Sequence, residues 1–87
     1  MLWRVADVLY FVASWSGPCM QHRPVMAAAA EQLGIEFREV DADEATEVHE
    51  SYGVHTLPSI AVEGVGVLVV GPLPADEIVE RLRDYIA

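Results

Sequence analysis

Cys19, the chain's one thiol, lies in Ser16-Gly17-Pro18-Cys19, where residue types and spacing could do chemistry. Serine is a favoured helix N-cap, and proline is tolerated in a first turn, where its missing N–H has no partner to lose. Cys19 therefore falls in the opening turn of a helix, where unpaired backbone N–H groups and the helix dipole favour a thiolate, the nucleophile of disulfide exchange. Its bland alternative is a small buried hydrophobe with no reactivity. His22, three positions on, could form half of a metal site with Cys19. Structural zinc takes four ligands and no further Cys–His cluster is present, so no metal is expected. Asp41, Asp43, Glu44 and Glu47 crowd together but lack the glycine of a calcium loop, and they read as a solvated acidic helix start. His49 and His55 read as surface residues, with His55 beside a loop ending in Pro58.

These groups need a scaffold, and 87 residues with 53% hydrophobic content provide one small domain, residues 1–87, near the lower limit for burying its own core. A single cysteine excludes an internal disulfide framework. The formal charge of −9, with five basic residues that are all arginine, excludes a phosphate-binding or anionic-lipid surface, so neither nucleic acid nor membrane partners are expected. The N-terminus lacks a signal-peptide layout, and a cytoplasmic, reducing setting is the expectation. Absence of Lys and Asn beside abundant Ala, Val and Arg hints at a GC-rich genome and nothing about mechanism.

Hydrophobic periodicity supplies the elements. Val8 to Ala13 is a continuous apolar run, read as a strand covered on both faces. Val25, Met26, Ala29, Ala30 and Leu33 recur at helical spacing before Gly34, a natural stop, with a kink expected at Pro24. Ile35 to Val40 alternates as a half-buried strand parallel to the first. Asp43 is expected to cap a short helix carrying Ala45, Val48 and Tyr52 and closed by Gly53. Ser59 to Glu63 and Val67 to Val70 flank Gly64-Val65-Gly66 as a hairpin. Pro74 opens a last helix with Asp76 and Glu77 early, Arg81 and Arg83 late, and a buried stripe of Ile78, Val79, Leu82 and Ile86. The expected fold is α/β, in the order β-α-β-α-β-β-α. Leu2, Trp3 and Val5 precede it as an edge segment or core cover.

Trp15-Ser16-Gly17-Pro18-Cys19 resembles the Trp-Cys-Gly-Pro-Cys site of the thioredoxin family, with serine replacing the first cysteine. Pro24 stands at the family's offset from the second cysteine. Tyr52-Gly53-Val54-His55-Thr56-Leu57-Pro58 is similar to the family's Tyr-Gly-Ile-x-x-Ile-Pro segment, and Gly71 matches a family glycine. The resemblance covers residues 8–87 in order. It implies a thioredoxin fold with a four-stranded mixed sheet, starting after the N-terminal strand and helix of full-length thioredoxins. It also implies that Pro58 is cis, that Ser16 occupies the attacking position and that Cys19 occupies the resolving one. Trp15, Gly17, Pro18, Thr56, Leu57, Pro58 and Gly71 would then bind the target peptide, Leu57 through its backbone. Implied partners are disulfide-bearing proteins and a thioredoxin-reductase-type electron donor, with no cofactor.

The family's buried acid below the second cysteine aligns with Tyr10, and its companion lysine with Glu39. One reading rebuilds the pair, with Glu39 as a buried carboxyl and Tyr10 as its hydrogen-bond donor, together poising Cys19. The other leaves Glu39 at an exposed edge and Tyr10 in the core. Three functional readings follow. The first is a disulfide oxidoreductase whose native sequence has cysteine at 16, seen here in an inactivated Cys-to-Ser form. The second is a naturally redox-silent module that binds proteins in the same groove. The third makes Cys19 a one-thiol handle for glutathione or for a Cys19–Cys19 dimer of an otherwise monomeric protein.

Overall fold

A computed structural model describes residues 8–85. The expectations for Leu2, Trp3, Val5 and Ile86 lie outside them. The elements run β1 (Val8–Val12), α1 (Gly17–Leu33), β2 (Arg38–Asp41), α2 (Thr46–Ser51), β3 (Ser59–Val62), β4 (Gly66–Val70) and α3 (Ala75–Arg83), in the order expected. One four-stranded sheet has the order β2-β1-β3-β4, with β1 parallel to β2 and antiparallel to β3, and β3 antiparallel to β4.

β1 is buried along its whole length because helices cover both faces of the sheet. Val8, Tyr10 and Val12 join a cluster with Cys19, Met26 and Ala29 of α1 and Ile78, Val79 and Leu82 of α3. Leu9 and Phe11 point the other way, to Val40, Ala61 and the partly buried Val48 and Tyr52 beside α2. The period of two in a pleated strand divides the run between these two cores. Each fully buried Leu, Ile or Phe contributes about 1.5–3 kcal/mol relative to exposure.

α1 runs through Pro24 and stops at Gly34, whose φ of 67° is the left-handed conformation glycine adopts without strain. The Ile35 N–H bonds back to the Ala30 carbonyl at 3.0 Å and the Gly34 N–H to that of Glu31 at 3.1 Å, a Schellman ending.

Several boundaries differ from the sequence expectation, including β3, which ends at Val62 and not Glu63, and β4, which begins at Gly66 and not Val67. β1 ends at Val12, one residue early, as the chain turns toward α1. Ladder pairing of β2 begins at Arg38 opposite Leu9, so Ile35 and Phe37 pack on the core without belonging to the strand. α2 begins at Thr46 with Ala45 as its N-cap, not at Asp43. The reason is Asp41, whose Oδ1 accepts the Asp43 N–H at 2.8 Å and whose carbonyl accepts the Ala45 N–H at 2.8 Å, holding residues 41–45 in a turn.

Candidate functional site

Register brings the site together. Val12 pairs with Asp41, Phe11 with Ser59 and Ser59 with Val70, so the C-terminal ends of β1, β2 and β4 and the N-terminal end of β3 share one edge of the sheet. The turn carrying Ser16 and Cys19, the Thr56-Leu57-Pro58 loop and Gly71 all emerge there. Crevices beyond strand carboxyl ends are where α/β proteins bind ligands. The Leu57–Pro58 bond is cis, and the Pro58 carbonyl accepts the Gly71 N–H at 2.8 Å. Gly71 has a φ of 84°, and a Cβ added there would meet nothing within 4 Å, so its backbone borders open space.

Ser16 is the N-cap of α1, with φ −89° and ψ 115°, and its Oγ accepts the Cys19 N–H at 3.4 Å. Its own N–H donates to the Ala13 carbonyl at 3.0 Å, closing the turn. A second tether crosses the sheet: Asp41 Oδ2 accepts the Ser14 N–H at 3.2 Å, and the Val12 carbonyl accepts the Ala42 N–H at 2.9 Å. Trp15 is 70% exposed, Gly17, Pro18 and Thr56 are exposed, and Leu57 is half-buried. Met20 and Val70 extend this exposed apolar rim. The sequence reading omitted both, although Met20 follows Cys19 outside the buried stripe of its helix.

Cys19 is completely buried. A thiol without solvent exposure cannot meet a second copy's thiol as folded, which counts against the Cys19–Cys19 dimer.

Beneath Cys19 the arrangement departs from the rebuilt acid pair. Tyr10 is fully buried, its Oη 2.8 Å from His22 Nδ1, while His22 Nε2 lies 2.7 Å from the Leu73 carbonyl oxygen. A carbonyl only accepts, so Nε2 carries a hydrogen. In the neutral imidazole, Nδ1 then accepts and the phenol donates. Phe37 packs edge-on against Tyr10, with ring centroids 5.6 Å apart. Burial foremost, then the charges of Cys19 and Glu39, push the phenol well above its ordinary range, with Arg23 pulling the other way.

Glu39 is not a buried carboxyl and does not bond Tyr10. Although it is Tyr10's ladder partner, β2 is an edge strand, and the Glu39 side chain pairs with Arg23 of α1. Arg23 Nε and Nη2 donate to its two carboxylate oxygens at 2.8 and 3.1 Å, with the Glu39 side chain 38% exposed. His49 is likewise not a surface residue: it is buried, its Nε2–H donates to the Val40 carbonyl at 2.8 Å, and its ring meets Phe11 edge-on. This pins α2 to β2. His55 is exposed, in a surface pocket beside Thr56, Ser59 and Val70.

Among the described residues no group of three or more His, Cys, Asp or Glu is placed to hold a metal ion, and no helix is long and apolar enough to cross a membrane.

The family model described as Thioredoxin matches residues 4–84. A curated thioredoxin of Listeria monocytogenes is 31% identical over 81 residues, spanning 87% of this chain and 79% of that protein. An H-type thioredoxin of Oryza sativa is 35% identical over 78 residues, spanning 88% of this chain and 59% of that protein. Among solved structures, an N21Q mutant thioredoxin from Halobacterium salinarum superposes with a TM-score of 0.80 at 29% identity, covering 97% of this chain and 77% of that one. The thioredoxin NaTrxh from Nicotiana alata gives 0.79 at 29% identity, with 97% and 76% covered.

Proposed function

From the premise that the chain belongs to the thioredoxin family, we propose that this thioredoxin-like redox protein has the groove of a protein disulfide oxidoreductase, with Ser16 in the attacking position. An extended target segment lies between the Trp15–Pro18 turn and the Thr56–Pro58 loop, pairs with the Leu57 backbone and passes close to Gly71. In a complete site, a sulfur at position 16 attacks the target disulfide, forming a mixed disulfide and releasing one target thiolate. Cys19 then attacks the sulfur at 16, releasing the second target thiolate and leaving a 16–19 disulfide. A reductase-type donor returns that disulfide to two thiols with two electrons. A serine hydroxyl stays protonated near neutrality and forms no sulfur–sulfur bond, so the chain as written binds but does not cycle. A reducing, cytoplasmic setting belongs to the same reading, because each turnover must be recharged.

The observation that carries this reading is the placement of Ser16: an N-cap one turn from a buried thiol, at the same sheet edge as the cis Leu57–Pro58 bond. The test is Ser16→Cys in an NADPH-coupled reduction of a protein disulfide. Turnover gained by this one substitution supports the reading. Silence in a correctly folded variant favours a redox-silent binding module, a reading helped by the capping contact that already gives Ser16 a structural role.

A further inference from the structure

We propose that His22 is a positioning residue for the target peptide: it fastens the Gly71 side of the groove to the helix that carries Cys19, a role that rests on the exchange groove described above. The segment Gly71-Pro72-Leu73-Pro74 is poor in tethers of its own, because Pro72 and Pro74 have no backbone N–H. Its remaining N–H groups are engaged on the groove side. That of Leu73 donates to the Gly71 carbonyl at 3.0 Å, and that of Gly71 donates to the Pro58 carbonyl at 2.8 Å. The Pro74 carbonyl accepts the Ile78 N–H at 3.1 Å, within the start of α3. The hydrogen bond that joins the segment to α1 runs from His22 Nε2–H to the Leu73 carbonyl at 2.7 Å.

His22 is itself held. Its Nδ1 accepts the Tyr10 phenol at 2.8 Å in a buried contact, which fixes the tautomer with hydrogen on Nε2 and sets the direction of the ring. Tyr10 lies in the middle of β1, paired with Glu39 of β2 and Ile60 of β3, so the imidazole is anchored to the centre of the sheet. On α1, Cys19 and His22 are three positions apart and both buried, which puts them on one face of the helix. One helix face therefore carries both the thiol and the fastening. From there, hydrogen bonds lead through Leu73 to Gly71 and on to Pro58.

The consequence is a groove whose Gly71 wall is in place before the peptide arrives. Ordering a loop at the moment of binding lowers affinity, and a wall already held avoids that loss. Without the imidazole, the segment keeps its bond to Pro58 but loses its hydrogen bond to α1.

The test has two readouts. In the chain as it stands, amide hydrogen exchange at Gly71 and Leu73 reports how firmly the segment is held. His22→Leu keeps an apolar side chain in the buried position. It should speed both amides about tenfold or more, the equivalent of one buried hydrogen bond, relative to the amides of α2 on the other face of the sheet. His22→Gln sets an amide N–H as many bonds from Cα as Nε2 and should restore much of the protection. Tyr10→Phe leaves the Leu73 bond but frees the ring; it should give the same change in weaker form, and it serves if His22→Leu fails to fold. Unchanged Gly71 and Leu73 amides in these folded variants, or acceleration shared equally with α2, overturns the proposal.

In the Ser16→Cys background, initial rates with insulin as the protein disulfide, recharged by dithiothreitol, give the second readout. His22→Leu should raise KM about tenfold and leave kcat within about twofold, with His22→Gln returning KM toward its starting value. A fall in kcat at unchanged KM would overturn the positioning role. An inactive Ser16→Cys protein would sink the exchange reading, while the amide rates of the Ser16 chain would still decide whether His22 holds the segment.

Discussion

Tyr10 Oη sits 2.8 Å from His22 Nδ1 in a fully buried contact that joins the middle of β1 to α1. Burial first, then the neighbouring charges, hold the phenol above its unfolded value of about 10, so the folded state retains a proton that the unfolded chain gives up. The stability from this difference is complete below about pH 10 and is lost as pH rises through the folded phenol's range, at roughly 1.4 kcal/mol per pH unit. Urea unfolding at about pH 9 and about pH 11 should show a steeper fall for the unaltered chain than for Tyr10→Phe. Equal slopes would contradict it.

Ser16 caps α1 through one side-chain acceptor at 3.4 Å, the long end of such bonds. Ser16→Ala should therefore lower stability by about 0.5–1 kcal/mol, at the weak end of N-cap losses. A chemical denaturation midpoint would measure it, and a loss well beyond that range would mean that Ser16 does more than cap.

The Arg23–Glu39 pair is bidentate but sits in solvent. Glu39→Gln should cost less than about 1 kcal/mol, shrinking further in high salt. A chemical denaturation midpoint at low and high salt would measure it, and a loss well above about 1 kcal/mol that salt leaves unchanged would contradict a pair screened by solvent.

His49 fills a buried position with a donor for the Val40 carbonyl. His49→Ala should cost about 2–4 kcal/mol, combining a void with an abandoned acceptor. Thermal unfolding would read this as one of the larger single-site losses outside the apolar core.

Gly71 has a φ of 84° with free space where a side chain would go. Gly71→Ala should fold and lose about 1–2 kcal/mol from backbone strain alone. A peptide bound in the groove should meet the new methyl group, so weakened binding of an extended partner is expected beside the stability loss.

Much of this was legible in advance because it is local. Val8 to Val12 announced a doubly covered strand, Ser16 and Pro18 a helix start, and Gly34 its end. The resemblance of Trp15 to Cys19 and of Tyr52 to Pro58 indicated which loops should meet. The illegible parts were polar side chains choosing among distant partners. Asp41 looked like one acid among several, yet it organises the 41–45 turn and ties Ser14 to it. Glu39 shares the parity of the apolar Ile35 and Phe37, and nothing in its neighbours showed that Arg23 would pair with it in solvent. His22 carried a faint signal, its three-residue spacing from Cys19, which pointed to a metal no more than to a phenol.

Element order, strand burial and the place of the thiol were determined by the amino-acid order itself, because periodicity, caps and turns act over a few residues. The tertiary structure alone decided that His22 stands between Tyr10, 12 positions away, and the Leu73 carbonyl, 51 positions away. A buried donor or acceptor must be satisfied by whatever packing brings within 3 Å or so, and that depends on how α1, β1 and the segment before α3 meet in space.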